Sequence, residues 1–312
     1  MSERVFDVIA LGEPLIEFNQ TRGSAPEYLQ GFGGDTSNMA IAAARLGARV
    51  AYATRVGDDA FGCMFLDLWA AEGVDTRAVA RDAEAPTGIY FVTHGAKGHE
   101  FSYLRAGSAA TRLRPANLPA DAIRAARVLH LSGISQAISA SACDACFAAI
   151  DAARAAGVKV SYDTNLRLKL WPLPRARAVI LASLALADWV LPSIDDAKLL
   201  FERDDPDAIL DACHAAGARL VVLRCGAGGC VVSDGRRRER IAGHRVQAVD
   251  ATGAGDCFDG AFAARILAGD DPVTAARYAN AAAAIATTGY GAVAPLPRHA
   301  DVLALLSQHA HA

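Results

Sequence analysis

The sequence predicts an α/β fold: a mostly parallel, doubly wound sheet with helices on both faces, carrying a small β-sheet lid. Three observations point there. Short apolar runs alternate with longer helical segments along most of the chain, the pattern of strand–helix–strand units. Glycine stands directly after several helical segments, as a left-handed C-cap asks. Two sheet-like insertions, rich in aromatic and β-branched residues, interrupt the alternation in the first third. The 312 residues are expected to form a single domain over 1–312. A chain of that length buries about three quarters of its unfolded surface.

Residues 5–11 read as a buried strand, 36–46 as a helix closed by Gly47, 50–54 as a strand, and 61–71 as a helix closed by Gly73. A strand at 128–131, a helix at 141–156 before Gly157, and a strand at 158–162 follow, with further strands at 189–191 and 220–223. The insertions are 14–30, short strands with polar turns, and a hairpin of 88–94 and 100–104 through 95–99. They are expected to pair into the lid, whose segments span about 12–33 and 87–108. A strand at 245–249 enters a glycine-rich turn and a helical run at 259–267 leaves it. From 261 onward the chain reads as mainly helical, broken at 269–272 and 289–297.

A net charge of −3 with 53% hydrophobic residues excludes a disordered chain and a surface built for nucleic acid or anionic lipid. The basic run Arg236-Arg237-Arg238, with Arg240 after it, follows the hairpin turn Asp234-Gly235 and reads as a solvated loop tip. Residues 1–7 carry no apolar leader, and the apolar stretch 179–191 is too short for a bilayer and contains Asp188. Seven scattered cysteines suit a reducing compartment. The pair Cys143-x-x-Cys146 has no second ligand pair at zinc spacing and reads as core packing. The expectation is a cytoplasmic homo-oligomer with no nucleic-acid or membrane partner.

The chemistry concentrates in Asp250-Ala251-Thr252-Gly253-Ala254-Gly255-Asp256-Cys257-Phe258. Its glycines free the backbone N–H groups of Gly253, Ala254, Gly255 and Asp256 to converge at a helix N-terminus, where orphan donors and the dipole favour an anion. Asp256 has two readings there: a carboxylate that stabilises the helix start, or a base aimed at a hydroxyl that attacks a bound phosphate. No G-x-x-x-x-G-K-[ST] is present, which excludes a P-loop, and Gly12-Glu13-Pro14 after the first strand is not a Rossmann fingerprint. Gly31-Phe32-Gly33-Gly34-Asp35 is either a tight turn or, with Asn38 one helical turn on, a holder of polyol hydroxyls.

These residues carry a resemblance. Gly33-Gly34-x-x-x-Asn38-x-Ala40 with Leu46-Gly47 resembles the first signature of the ribokinase-like (pfkB) carbohydrate kinases, and Gly253-Ala254-Gly255-Asp256-x-Phe258 resembles the second. Val56-Gly57-x-Asp59-x-Phe61-Gly62 is also similar, so the likeness spans the whole chain. It implies a ribokinase-like fold, ATP as co-substrate, Mg²⁺, and Asp256 as catalytic base with the Gly253, Ala254 and Gly255 amides around the phosphate. Gly33, Gly34 and Asn38 would hold the sugar.

Within that family the chain resembles the 2-keto-3-deoxygluconate kinases, through Tyr103-Leu104-Arg105, Asp163-x-Asn165-x-Arg167 and Gly289-Tyr290-Gly291-Ala292 among others. The activity implied is phosphorylation of the 6-hydroxyl of that sugar acid. Another sugar kinase, such as a fructokinase, is the alternative, and a non-catalytic sugar-binding regulator a more distant one. An acidic substrate gives two arginines a purpose, because a planar guanidinium binds a carboxylate bidentately. Arg105 and Arg167 are expected to read it, with Tyr90 and Tyr103 lining the pocket from the lid. At the nucleotide end the resemblance implies Ser193, Arg224, Gly226, Gly229, Gly253, Gly255, Asn280 and Ala283. The chain departs from the family at Arg224, where lysine or threonine is usual. It departs again at Ser193-x-Asp195-Asp196, where Asp196 is expected to reach Mg²⁺ through water. A monovalent-cation site near Asp250 is a further family feature.

Overall fold

The computed structural model describes residues 4–21, 27–95 and 98–309. The turns expected within 22–26 and 96–97, and the first three residues of the leader reading, lie outside them.

The chain begins β1 (Phe6–Leu11), β2 (Leu15–Gln20), β3 (Tyr28–Gly33), α1 (Asp35–Arg45), β4 (Val50–Gly57), α2 (Ala60–Ala71) and β5 (Val79–Asp82). It continues with β6 (Gly88–Gly95), β7 (Gly98–Leu104), α3 (Ala120–Arg124), β8 (Ala126–Ser132), α4 (Gly133–Ala137), α5 (Ala140–Ala155) and β9 (Lys159–Asp163). Then come α6 (Leu173–Leu184), β10 (Trp189–Val190), α7 (Ile194–Phe201), α8 (Pro206–Ala215) and β11 (Leu220–Arg224). The last elements are β12 (Cys230–Ser233), β13 (Arg238–Ile241), α9 (Ala254–Ala268), α10 (Pro272–Ala286) and α11 (His299–His309).

Nine strands form one sheet in the order β13-β12-β11-β10-β9-β8-β1-β4-β5. It is parallel from β11 to β5, and only the β12 and β13 edge is antiparallel. The centre is buried on both faces, which is why β1 and β8 read as near-continuous apolar runs. One face packs Met39, Trp69, Phe262 and Val302, from α1, α2, α9 and α11. The other packs Ile123, Ile150, Ile180, Leu200 and Ile209, from α3 and α5 to α8. Cys143 and Cys146 are unpaired and buried on α5.

A second sheet has the order β3-β2-β6-β7. Its β2 and β6 run parallel with Ile16 opposite Ile89, and the chain enters and leaves it from the large sheet.

Two expectations are corrected. Residues 245–249 form no strand: among the described residues no strand of either sheet pairs with them, and the Val249 and Asp250 amides donate instead to Thr287 O. The helix expected from 259 begins at Ala254, because Gly253 adopts the left-handed backbone (φ 76°) and serves as its N-cap. The basic run is also more than a loop tip. Arg238 and Arg240 lie on β13 and pair with Asp207 and Asp211 of α8.

The high alanine and glycine content has a packing consequence. A Cβ on Gly260 would lie 2.6 Å from the Met39 carbonyl oxygen and 2.8 Å from Ala43 N, so α9 rests against the backbone of α1. That close approach joins two segments distant in sequence and sets up the site.

Candidate active site

Asp256 sits in the first turn of α9, at the C-terminal end of the large sheet where open α/β folds place ligands. Asn38 Nδ2 on α1 donates to Asp256 Oδ2 at 2.8 Å. Burial and the neighbouring charges of Asp35 and Asp163 push the Asp256 carboxyl up to about 7, against the opposing pull of Asn38 and Arg224. The Gly253 φ of 76° is disfavoured for a side chain, and a Cβ there would lie 2.9 Å from Ala292 O. One donor is lost from the expected cradle: Ala254 N–H is spent on Ala251 O at 3.2 Å. The amides of Gly253, Gly255 and Asp256 have no acceptor among the described residues.

Asp35, which the sequence reading named only as the end of the 31–35 turn, joins this site. It opens α1, three residues before Asn38 and on the same helix face. Its Oδ2 accepts from Asn165 Nδ2 at 2.9 Å and from Ser132 Oγ, and burial raises its pKa. Asp35 Oδ1 and Asn38 Oδ1 are buried and have no hydrogen-bond partner among the described residues. Asn165 is itself held in a left-handed conformation (φ 29°) with its N–H on Asp163 Oδ1 at 3.2 Å. The signal for Asp35 was its place straight after Gly34, whose φ of 101° and close contact with Glu13 O demand glycine.

The small sheet supplies the other wall. A Cβ on Gly33 would lie 2.6 Å from Tyr90 Oη, so the glycine and the phenol are in close contact. Tyr90 is buried and donates to Glu17 of β2, whose own pKa burial raises. Tyr90 also feels the Asp256 charge. The Tyr103 ring lies tilted against Tyr90 with centroids 5.8 Å apart and is 40% exposed.

The two arginines expected to read a substrate carboxylate part company. Arg105 is already paired with Glu13, a buried residue that also accepts from Ser108 Oγ at 2.7 Å. Arg167 is exposed, among the described residues donates its side chain only to the adjacent Leu166 O at 2.9 Å, and acts electrostatically on both Asp35 and Asp196.

At the expected nucleotide end, Ser193 caps α7 by accepting from Asp196 N at 3.1 Å and forms a bridge with Arg224. Asp196 Oδ2 accepts from Leu166 N at 3.1 Å, and burial raises its pKa. Gly226 and Gly229 have φ of 57° and 92° in the turn between β11 and β12. Arg224 does not face that turn. Its guanidinium is buried against Asp163, Asp259 and Gly255 O. Asn280 is buried, with Nδ2 3.5 Å from Ile241 O, and Ala283 is partly buried against the core. Among the described residues no group of three metal-ligating side chains occurs. The one carboxylate at Asp196 nevertheless suits Mg²⁺, which binds through few protein carboxylates together with waters and phosphates.

The whole arrangement, two glycine turns and an aspartate on a helix N-terminus beneath a small β-sheet, is that of a sugar kinase. The chain belongs to the pfkB family of carbohydrate kinases, whose profile matches residues 5–299. It is 36% identical over 317 residues to Fructokinase-1 of Oryza sativa subsp. japonica, covering 96% of this chain and 97% of that one. In structure it is similar to a fructokinase with bound ATP from Xylella fastidiosa, with TM-score 0.90, 27% identity and coverage of 98% and 100%. A fructokinase from Vibrio cholerae O395 in a fructose, ADP and calcium bound form is similar with TM-score 0.87 and 29% identity, covering 96% and 99%. The resemblance to 2-keto-3-deoxygluconate kinases finds no counterpart in these relatives, which are named fructokinases.

Proposed function

We propose that the protein transfers the γ-phosphoryl group of ATP to a primary hydroxyl of a neutral ketohexose of the fructose type. The carrying observation is the pair of unpartnered acceptor oxygens, Asp35 Oδ1 and Asn38 Oδ1, beside Asp256. Buried acceptors call for hydroxyl donors. The neighbouring carboxyls of Asp35 and Asp256 disfavour a substrate carboxylate in the same place. The names of the relatives support the same substrate.

In this reading Asp256 takes the proton of the attacking hydroxyl, and a pKa of about 7 suits a base working near neutrality. The amides of Gly253, Gly255 and Asp256 with the α9 dipole hold the charge that develops on the phosphoryl oxygens. Asp196 would hold the water shell of Mg²⁺, which when bound supplies charge neutralisation at the phosphates. Ser193, Gly226 and Gly229 flank the nucleotide. The small sheet acts as a lid that keeps water from competing with the sugar.

A coupled ATP-consumption assay with fructose and 2-keto-3-deoxygluconate side by side tests this. The expected kcat/KM is at least about tenfold higher for fructose, equivalent to about 1.4 kcal/mol. The reverse order would replace this reading with the sugar-acid kinase, which one observation favours: the exposed Arg167 guanidinium beside Asp35 and Asp196.

A further inference from the structure

We propose that Arg224 is a positioning residue, a clamp that fixes the first turn of α9, and with it the Asp256 carboxylate and the amide cradle, to the ends of β9 and β11. One nitrogen, Nη1, donates to Gly255 O and to Asp259 Oδ1, both at 2.9 Å. The other, Nη2, donates to Asp163 Oδ1 at 2.5 Å. Arg224 is the last residue of β11 and Asp163 the last of β9, whereas Gly255 and Asp259 bracket Asp256 on α9. One rigid group thus spans three elements around the reacting carboxylate.

The surroundings fit that role. The side chains of Asp163 and Asp259 are 4% and 1% exposed, and that of Arg224 is 11% exposed. A Cβ on Gly255 would lie 3.0 Å from Arg224 Nη1, so this glycine makes room for the guanidinium. Two acidic side chains share one cation, and burial with the neighbouring Asp163 and Asp256 holds the Asp259 pKa well above its ordinary value against the pull of Arg224. A lysine is a point charge on a flexible stem and cannot reproduce a planar fork aimed at two elements. A cluster buried this deeply costs desolvation, so its worth here is geometric.

The inference rests on the kinase reading for its rate measurement, so it is tested by two readouts. Arg224→Lys and Arg224→Gln are compared with the wild type by steady-state kinetics with ATP and fructose, and by amide hydrogen exchange without ligand. The expected result is a fall in kcat of about 100-fold, the order that follows a misplacement of about 1 Å. The sugar KM should stay within about threefold, and exchange should quicken at residues 253–259 while the large sheet stays protected. Near-normal kcat in Arg224→Lys with unchanged exchange at 253–259 would overturn it. So would a loss of protection across the whole sheet, which marks a residue of general stability. Should Arg224→Gln not fold, Arg224→Lys carries the comparison alone. A wild type that consumes ATP with neither sugar would refute the kinase reading, and the exchange comparison would still decide the clamp.

Discussion

Asp256 is asked to do two things that conflict, and its environment records the conflict. In the proposed reaction it must be ionised to accept a proton, yet burial and the charges of Asp35 and Asp163 push its pKa to about 7. Two results are expected. The rate should fall as pH drops below about 7, read from the acid limb of a kcat profile. Asp256→Asn should abolish most turnover while leaving the sugar KM within a few-fold, read by the coupled assay. The linkage has a definite sign. A carboxyl whose folded pKa lies above its unfolded value of 3.8 favours the folded state below that value, and the benefit is lost as pH rises through about 7. Asp256→Asn is therefore expected to melt higher than the wild type at pH 8, by an effect on the order of 1 kcal/mol. The gap should shrink at pH 5. The glycine turn and this aspartate were legible in the sequence because a helix N-terminus is a local feature. Asp35 was legible only as the end of the 31–35 turn, since an acidic residue opening a helix also serves ordinary dipole compensation.

At the scale of elements, the site depends on α1 and α9 lying backbone to backbone. Gly260 permits this, with space for no side chain between it and Met39 O. Gly260→Ala is expected to push α9 outward, lengthen the Asn38–Asp256 bond, and cost about 1–3 kcal/mol of stability, as overpacking does. Denaturant melts and kcat measure both effects. Most strands and helices were readable from apolar alternation and following glycines. The segment 245–249 was misread because its alternation matches a strand, whereas in the folded chain its last amides are held by Thr287 O after α10 and not by a sheet strand.

At the scale of the molecule, two sheets must keep a fixed relation, and the pair Glu13–Arg105 joins them. Glu13 follows β1 of the large sheet, Arg105 follows β7 of the small one, and the Glu13 side chain is fully buried. Arg105→Ala would leave that carboxylate buried without its partner. The expected loss of stability is about 3–5 kcal/mol, seen as a lowered melting temperature and recovered in large part by the added change Glu13→Gln. A loss of acidic-substrate binding with no change in stability would instead return Arg105 to the role the sequence suggested.

By itself the sequence determined the alternation of strands and helices, the existence of a second small sheet, the glycine turns and the aspartate proposed as base. Each is written in residues that lie next to one another. Only the tertiary structure decided which charges are free. Arg105 meets Glu13 across 92 residues, Arg224 meets Asp163 across 61, and Arg167 keeps its guanidinium exposed. Composition counts these arginines alike, but ion pairing depends on distance in space, and that distance appears only when the chain has folded.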